Sequence, residues 1–501
     1  MAKLAGTIVC CYWITVVASS SSSPAIGVNW GTFESVKLDP RAVVEMLEAN
    51  GIGRVKLFDA DPAVVGAFRN SKIELTVALP NEMLRLVGSL PAAARNWVRR
   101  NVTRYIRENV NIKYVAIGNE PFLKSYNGSY QSYTYPALIN IQNALRGGDE
   151  GTRAVKATIP MNADVLAETV PMVPSAGAFR TDVAAEMIRI AAALADHASP
   201  FTINIYPFLS LAQDPFFPKE FAFLDGAAPP LVDGDRSYSN AFAAAYDTLA
   251  AALARIGFPD MAIVVGEIGW PTEGHPDATA TNAQRFNQRL VDHILDGAGT
   301  PMRAGPMEIF LFALLDEDQK PIAAGNFERH WGILASDGAA KYTLNLTVLG
   351  GTTSNSNSNS NLNLNSSRPA MALNGVMVRH LPSKWCVLNP DADVTLVGQN
   401  MEYACSFADC TPLMYGGSCN EIGGDGNASF AFNSYFQINQ QERHSCHFDG
   451  LGTITKVDPS LGSCVFRIGI QSAATRRSQS WITAVALIFP LFSSQILTSL
   501  P

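Results

Sequence analysis

Between residue 25 and about residue 349, short apolar runs alternate with longer amphipathic stretches. The short runs are rich in β-branched residues and predict buried strands, whereas the longer stretches repeat apolar residues at helical spacing. The predicted strands cover 26–30, 54–58, 73–79, 114–118, 155–159, 201–206, 262–267 and 308–313. The clearest predicted helices cover 41–49, 92–108, 182–197, 239–255 and 282–295.

Eight strands that alternate with helices predict an α/β fold, a (β/α)8 TIM barrel, over residues 24–348. An open doubly wound sheet is the alternative, but no glycine-rich phosphate-binding sequence follows the first predicted strand. Barrel enzymes place their chemistry at the carboxyl ends of the strands. Residues at these positions are therefore the first candidates for an active site.

Two glutamates stand at such positions. Glu120 follows the fourth predicted strand in the sequence Ile-Gly-Asn-Glu-Pro, and Glu267 ends the seventh in Val-Val-Gly-Glu-Ile-Gly-Trp-Pro. A single glutamate after a strand is usually a helix cap or a loop residue. Two carboxylates that meet in one cleft are, however, what hydrolysis of a glycosidic bond requires.

Both ends of the chain carry apolar runs that predict processing signals. Lys3, an apolar run and a row of serines predict a secretory signal peptide over residues 1–23. Small residues, a spacer with arginines and an apolar tail predict a GPI-attachment signal over 472–501, with attachment at Ser472. A membrane span is the alternative, which the arginines before the tail disfavour. We expect a secreted protein that a lipid anchors to the extracellular face of the plasma membrane, where it faces the cell wall.

The region between barrel and tail divides into two parts. Residues 349–372 form a low-complexity Asn/Ser linker, a composition that cannot build a core. Six of the eight cysteines fall in the region that follows, 373–470. In a secreted protein this pattern predicts a small module stapled by three disulfides, for which 15 pairings are possible. The cysteines are Cys386, Cys405, Cys410, Cys419, Cys446 and Cys464.

Composition narrows the classes of ligand. The 501 residues carry a net charge of −7 and no long basic stretch, which argues against nucleic-acid binding. A neutral polysaccharide suits this surface better than a polyanion. Without a metal-binding motif or a nucleotide-binding loop in the sequence, we expect neither a metal nor a cofactor. Five Asn-X-Ser/Thr sequons are candidate N-glycosylation sites: Asn101, Asn127, Asn345, Asn365 and Asn427.

Four sequence blocks along the predicted barrel resemble glycoside hydrolase family 17, the family of the plant β-1,3-glucanases. The blocks are IGVNWG at 26–31, IGNE at 117–120, VVGEIGWP at 264–271, and FALLDEDQKP with ERHWG between 312 and 332. Each block alone is weak evidence. Their order along the whole barrel makes the resemblance specific.

The resemblance implies a hydrolase that retains the anomeric configuration. Glu267 would be the nucleophile and Glu120 the acid–base residue, with their carboxylates about 5–5.5 Å apart. Asn119 would direct its amide at the sugar 2-hydroxyl. Supporting roles would fall to Glu317, Lys320 and Glu328. For these three, a buried ion-pair network that holds the loop after the eighth strand is an equal alternative.

Aromatic residues near the strand ends would be platforms for glucose rings in this interpretation. They are Phe58, Tyr206, Trp270, Phe312 and Trp331. Packing in the core is the alternative for each of them. Tyr206 and Trp270 are the strongest candidates because they lie at or just beyond the ends of strands six and seven. Gly266 stands where relatives often have serine and Phe58 where many have tyrosine; we expect no functional effect at Gly266.

The cysteine-rich region resembles the X8 module, or carbohydrate-binding module family 43, which implies binding of β-1,3-glucan. In it, Tyr435, Phe436 and Phe448 could line a sugar surface or form the small core. We therefore expect a monomeric endo-β-1,3-glucanase that acts on callose-like glucan, with the linker letting the module hold polymer near the barrel.

Three alternatives use the same residues. The chain could be a wall-tethered glucan-binding protein with a silent barrel, or a transglycosylase in which a sugar replaces water as acceptor. A mixed-linkage 1,3;1,4-glucanase is a closer variant, which the β-1,3-glucan module disfavours.

Overall fold

The computed structural model describes residues 26–346, 375–376 and 378–471. The predicted signal peptide, the whole predicted linker with Asn365, and the predicted anchor segment with Ser472 lie outside the described residues. Within the described ranges, no helix has the length and apolar character needed to cross a bilayer.

Eight strand positions form the barrel, and the predicted (β/α)8 architecture is confirmed. The strands up to residue 311 are β1 (Gly27–Trp30), β2 (Arg54–Leu57), β3 (Glu74–Leu79), β4 (Ile112–Ile117), β5 (Lys156–Thr158), β6 (Pro160–Asn162), β7 (Phe201–Asn204), β8 (Leu231–Asp233), β9 (Arg236–Tyr238), β10 (Ile263–Ile268) and β11 (Glu308–Leu311). The barrel segments run in parallel in the order β5-β4-β3-β2-β1-β11-β10-β7-β6, while β8 and β9 form a separate antiparallel hairpin.

The fifth barrel strand is split, and the split lies at the point of closure. β5 pairs with β4, and β6 pairs with β7 on the other side. Pro160 begins β6, and a proline has no N–H to donate to a neighbouring strand. The predicted single strand 155–159 is therefore two short segments.

Helices cover the outside of the barrel. They are α1 (Pro40–Ala49), α2 (Pro62–Ala67), α3 (Asn81–Ser89), α4 (Pro91–Val98), α5 (Arg104–Arg107), α6 (Gln131–Arg146), α7 (Glu150–Ala154), α8 (Ala184–Asp196), α9 (Pro207–Gln213), α10 (Ala241–Arg255) and α11 (Ala280–Leu295). The predicted helix 92–108 is α4 and α5 joined by a π-helical turn at Arg99–Thr103. The predicted strand 201–206 stops at Asn204, since Pro207 starts α9.

The cysteine-rich module has its own small core. Its elements are β12 (Trp385–Leu388), β13 (Gly452–Thr455), α12 (Val397–Phe407) and α13 (Gly423–Ile438). Three disulfides tie them together: Cys386–Cys446, Cys405–Cys410 and Cys419–Cys464. Phe436 is fully buried, and Phe448 is stacked on Phe432, so these rings belong to the core.

The module packs directly on the barrel. Val376 and Ile470, near the two ends of the module, are buried in the same apolar cluster as the barrel core. The backbone N–H of Val376 donates to the carbonyl of Gly338 at 3.0 Å. The sequence predicted a linker between the two parts but gave no sign of this direct interface.

Candidate active site

Glu267 lies inside the barrel, near the carboxyl end of β10, and only 4% of its surface is exposed. The ammonium of Lys56, on β2, donates to its Oε1 at 2.8 Å, and this lysine is also buried. The hydroxyl of Tyr206 donates to its Oε2 at 2.7 Å. Each oxygen of the carboxylate therefore has a fixed donor, one of them charged.

Tyr206 keeps its proton in this position. Burial and then the charge of Glu267 raise the pKa of the Tyr206 hydroxyl well above its usual range. The hydroxyl is therefore a permanent donor to Glu267.

Glu120 lies in a tightly held turn just after β4. Asn81, the first residue of α3, accepts from the N–H of Asn119 at 2.9 Å and donates to its carbonyl at 2.8 Å. The N–H of Glu120 donates to the carbonyl of Pro160, where the fifth strand is split. The φ of Glu120 is +51°, a left-handed conformation that non-glycine residues seldom adopt and that clusters at functional sites.

The two glutamates differ in their surroundings. The amide of Asn204 donates to Oε1 of Glu120 at 2.9 Å. Burial, and then the charge of Glu267, raise the pKa of Glu120 to about 7, against the opposite effects of Asn204 and Lys56. Glu120 is therefore largely protonated below pH 7, while Glu267 stands in an ion pair. This is the division between acid and nucleophile that two-carboxylate chemistry needs.

Gly266 makes room for Asn204. Asn204 is paired with Glu267 across β7 and β10. A Cβ at position 266 would lie 2.8 Å from the side-chain oxygen of Asn204 and 2.7 Å from the methyl of Thr202. A side chain here would require Thr202 or Asn204, the residue that hydrogen-bonds Glu120, to shift, and the expectation that Gly266 has no functional effect stays a prediction.

The loop after β11 brings the three predicted supporting residues beside the two glutamates. Lys320 forms an ion pair with Glu328 at 2.8 Å and lies 4.6 Å from the ring centre of Phe312. Burial opposes the charge on Lys320, but Glu328 and then Glu317 outweigh it and raise the pKa of the lysine. Burial also raises the pKa of Glu317, which accepts from the N–H of Phe33 at 3.2 Å. Among the described contacts Lys320 and Glu328 form the ion pair, and Glu317 acts on Lys320 through its charge, so neither the catalytic nor the structural interpretation of the three is decided.

The carboxylate of Glu317 fits where it does because the residue opposite, Gly31, has no side chain. A Cβ on Gly31, just after β1, would collide with the Glu317 carboxylate. The glycine of the first sequence block and the acid of the fourth therefore fit together.

Four of the five predicted aromatic platforms form one group. The ring of Phe312 is in edge-to-face contact with Phe58, Tyr206 and Trp331, at centroid distances of 6.1, 5.8 and 5.7 Å. Phe58 and Tyr206 are half-buried, whereas Phe312 and Trp331 are 5% and 3% exposed. The first two offer the most surface to a ligand.

Trp270 is a core residue, and the prediction of a sugar platform is wrong for it. Its side chain is fully buried and stacks on Phe223 at a centroid distance of 4.5 Å. Its indole N–H donates to the carbonyl of Asp277. The ring follows strand seven in the sequence, but it turns away from the cleft.

Three residues that the sequence did not single out contact the two glutamates directly or through Lys56: Asn29, Lys56 and Asn204. Lys56 also donates to Asn29 at 3.1 Å and lies 3.4 Å from the side-chain oxygen of Asn119. A lysine inside the apolar run Val-Lys-Leu of β2 was the available signal, because an unpaired lysine is costly to bury in a barrel. Asn29 lies inside the first sequence block and Asn204 inside the predicted strand 201–206, but nothing in the pattern separated them from structural residues.

The predicted glycosylation sites differ in their exposure. Of the described sequon asparagines, Asn127 is exposed, and Asn101, Asn345 and Asn427 are half-buried. Within the described ranges, no group of three or more histidine, cysteine or acidic side chains could hold a metal ion.

Comparison with known proteins agrees with this geometry. The model of glycosyl hydrolases family 17 matches residues 26–346, and that of the X8 domain matches 384–453. The chain is 46% identical to glucan endo-1,3-beta-glucosidase 8 of Arabidopsis thaliana over 94% of its own length and 95% of the relative's. Glucan endo-1,3-beta-glucosidase 5 of the same plant is 43% identical, with 93% of each chain covered.

A solved structure shares the barrel. It is CJP38, a β-1,3-glucanase and allergen of Cryptomeria japonica pollen, with a TM-score of 0.62 and 35% identity over 65% of this chain and 99% of that one. The resemblance seen in the four sequence blocks is thus confirmed, and the chain belongs to glycosyl hydrolases family 17, with an X8 domain after its barrel.

Proposed function

We propose that the protein hydrolyses internal (1→3)-β-D-glucosidic linkages of β-1,3-glucan with retention of configuration. The observation that carries the proposal is the contrast between its two glutamates. Glu267 is ion-paired with Lys56 and accepts from Tyr206, whereas burial and the charge of Glu267 raise the pKa of Glu120 to about 7. The family of the chain and the names of its relatives support β-1,3-glucan as the substrate.

In the first half of the reaction, the carboxylate of Glu267 attacks the anomeric carbon, and Glu120 gives its proton to the departing glycosidic oxygen. The bond from carbon to that oxygen breaks as the ester bond to Glu267 forms. Lys56 and Tyr206 hold the nucleophile in line. Because Lys56 faces the oxygen end of the Asn119 amide, the nitrogen end of that amide is the donor we assign to the sugar 2-hydroxyl.

In the second half, Glu120 is ionised and takes a proton from a water molecule. The oxygen of that water attacks the anomeric carbon and releases Glu267, and Glu120 is protonated again. The sum of the two halves is one water consumed for each bond broken. A sugar hydroxyl in place of the water would give transfer to a longer chain with the same residues.

The X8 module supplies a candidate surface for the polymer. Tyr403 and Phe407 on α12 are each 50% exposed, and their rings form one cluster with Tyr435 on α13. Exposed aromatic rings are suited to stack on the apolar faces of glucose. The carbonyl of Phe407 accepts from Gln319 in the loop after β11, so this cluster adjoins the barrel.

The proposed site of action is the extracellular face of the plasma membrane and the cell wall. The signal at 1–23 and the GPI signal at 472–501, with Ser472 as anchor residue, support this proposal. The three disulfides suit an oxidising compartment.

The test is the release of reducing ends from laminarin by the full chain. We expect turnover in the wild type and a loss of roughly 10²- to 10⁴-fold in Glu120→Gln and Glu267→Gln, because each removes a group that transfers a proton or forms a bond. Glu45→Gln, an exposed residue of α1, is the matched control and should keep full activity.

Two outcomes would contradict the proposal. An inactive wild type that still binds laminarin in a pull-down would indicate a glucan-binding protein. Chains longer than the substrate, formed as the main product at high oligosaccharide concentration, would indicate a transglycosylase.

A further inference from the structure

The X8 module holds the catalytic loop at two points, one on each side of the Lys320–Glu328 ion pair. Before the pair, the side-chain amide of Gln319 donates to the carbonyl of Phe407 at 2.9 Å. After the pair, the guanidinium of Arg329 donates to Oδ1 of Asp409 at 3.1 Å. Gln319 directly precedes Lys320, and Arg329 directly follows Glu328. The module therefore contacts the residues next to the ion pair that lies beside the two glutamates.

Arg329 connects the module to the backbone of Lys320. Its Nη1 binds Asp409, and its Nε donates to the carbonyl of Lys320 at 3.0 Å. The side chains of Arg329 and Asp409 are only 16% and 15% exposed. Loss of one partner from so buried a pair leaves the other charge without compensation, which is far more costly than at an open surface.

His330 makes the next contact. The hydroxyl of Thr411 donates to Asp409 at 2.7 Å, so it accepts from Nε2 of His330, at 2.6 Å. Nε2 also lies 3.4 Å from Oδ2 of Asp409, and Nδ1 faces the barrel residue Asp316 at 3.9 Å. Asp409 and Thr411 thus fix two successive residues of the catalytic loop.

The module also contacts the loop that follows Glu267. The N–H of Ser418 donates to Glu273 at 2.6 Å, and the N–H of Gly274 donates to the carbonyl of Gly416 at 3.2 Å. The backbones are in close contact, because a Cβ on Gly416 would lie 2.7 Å from His275. The loop that follows the strand of Glu267 and the loop that carries the Lys320–Glu328 pair therefore share one support.

We propose that the X8 module positions the active site, in addition to any binding of polymer, and that Asp409 is its main positioning residue, acting through Arg329 on the Lys320–Glu328 loop. The inference rests on the proposed hydrolase function. A misplacement of about 1 Å at such a loop lowers turnover by as much as a hundredfold.

The test is steady-state hydrolysis of laminaripentaose by the full chain with Asp409→Asn. The isosteric amide keeps the oxygen that caps Thr411 but removes the charge that pairs with Arg329. We expect kcat to fall roughly ten- to a hundredfold with little change in KM, since Asp409 lies in the interface with Arg329 and His330. Asp391→Asn, an exposed acid of the same module, is the matched control and should leave kcat unchanged.

Two further variants test the route through Arg329. Asp409→Glu keeps the charge and should restore most of the lost turnover. Arg329→Gln should lower kcat as much as Asp409→Asn does, and the double variant should be no worse than either single one, because both remove the same contact. Additive losses would overturn the proposed route.

The remaining outcomes are also decisive. If Asp409→Asn melts below the assay temperature, Glu273→Ala tests the second support, and its kcat should fall while KM stays constant. Wild-type kcat in every folded interface variant would overturn the proposal while leaving the glucanase function intact. An inactive wild type would instead remove the proposed function, and the positioning role with it.

Discussion

The barrel and the X8 module are stabilised by opposite means. The described barrel, residues 26–346, contains no cysteine and depends on one large apolar core, within which the ion pair of Lys56 and Glu267 is buried. The module has a small core and three disulfides that close sequence separations of 60, 5 and 45 residues. A large core can bury paired charges for chemistry, whereas a small domain needs covalent links simply to stay folded.

This difference predicts that the two parts respond to different perturbations. Removal of a disulfide should affect the module, and removal of a buried charge should affect the barrel. The contacts between them that reach the active site are at the loops after β10 and β11.

The largest effect is expected from the longest disulfide loop. Cys386→Ser with Cys446→Ser should lower the free energy of unfolding of the module by about 4 kcal/mol, because a closed loop of this length restricts the unfolded chain. The control, Cys405→Ser with Cys410→Ser, opens a short loop and should cost about 2 kcal/mol. Calorimetry should show the module transition shift while that of the barrel stays. A barrel transition that moves as far as the module's would contradict the comparison.

Next in size is the loss of the buried lysine. Lys56→Met should lower kcat/KM on laminarin about a hundredfold, because Glu267 loses its charged donor at 2.8 Å. Lys72→Met, an exposed barrel lysine, is the matched control. The double variant with Glu267→Gln shows whether the two act as a unit. Activity within threefold of the wild type in Lys56→Met would contradict the assigned role.

The third prediction concerns pH. Burial and Glu267 raise the pKa of Glu120 to about 7, and Glu120 must be protonated to act as the acid. The value of kcat/KM should therefore fall tenfold per pH unit above about pH 7. Asn204→Ala removes a hydrogen bond that favours the anionic form of Glu120. In this variant the fall of kcat/KM should therefore begin at higher pH. If the fall of kcat/KM begins at the same pH in this variant, a group other than Glu120 controls it.

The smallest predicted effect lies at the interface. Burial opposes the charge on His330, but Asp409, Asp316 and Glu273 outweigh it and raise the pKa of the imidazole. The cations beside it are Lys341, which donates to its carbonyl, and Arg329. A raised pKa in the folded state gives stability that is complete below about pH 6.5 and is lost as pH rises through the folded value.

The difference in melting temperature between wild type and His330→Gln should therefore shrink between pH 6 and pH 9. The underlying change is on the order of 1 kcal/mol. His444→Gln removes an exposed histidine of the module and should show no such trend. A difference that is constant or grows with pH would contradict the assignment of charge to His330.

The sequence predicted much of this molecule, and the exceptions share a cause. The alternation of apolar runs and amphipathic stretches predicted the eight strands because every barrel strand contributes buried apolar residues to the core. Trp270 shows the limit: its place after strand seven predicted a platform, but the direction of a side chain depends on neighbours such as Phe223, which lies far off in the sequence.

The same limit applies to the site and to the interface. Glu120 and Glu267 stand in recognisable blocks, but Lys56 acquires its role only when β2 faces β10 across the barrel. The contact of Arg329 with Asp409 joins residues 80 positions apart on two separate domains. No local pattern encodes such pairs, since the position of Lys56 in an apolar run indicates burial but does not name its partner, and Arg329 and Asp409 each resemble an ordinary surface charge.

The central claim is that Glu267 forms the covalent bond to glucose. A 2-deoxy-2-fluoro-laminaribioside with a dinitrophenolate leaving group should trap this intermediate. Fluorine slows both the formation and the hydrolysis of the glycosyl-enzyme, whereas the good leaving group speeds only its formation, so the intermediate accumulates. Peptide mass mapping of the full chain should then find one glycosyl adduct, on Glu267. An active enzyme whose adduct maps to Glu120 or to any other residue would contradict the mechanism.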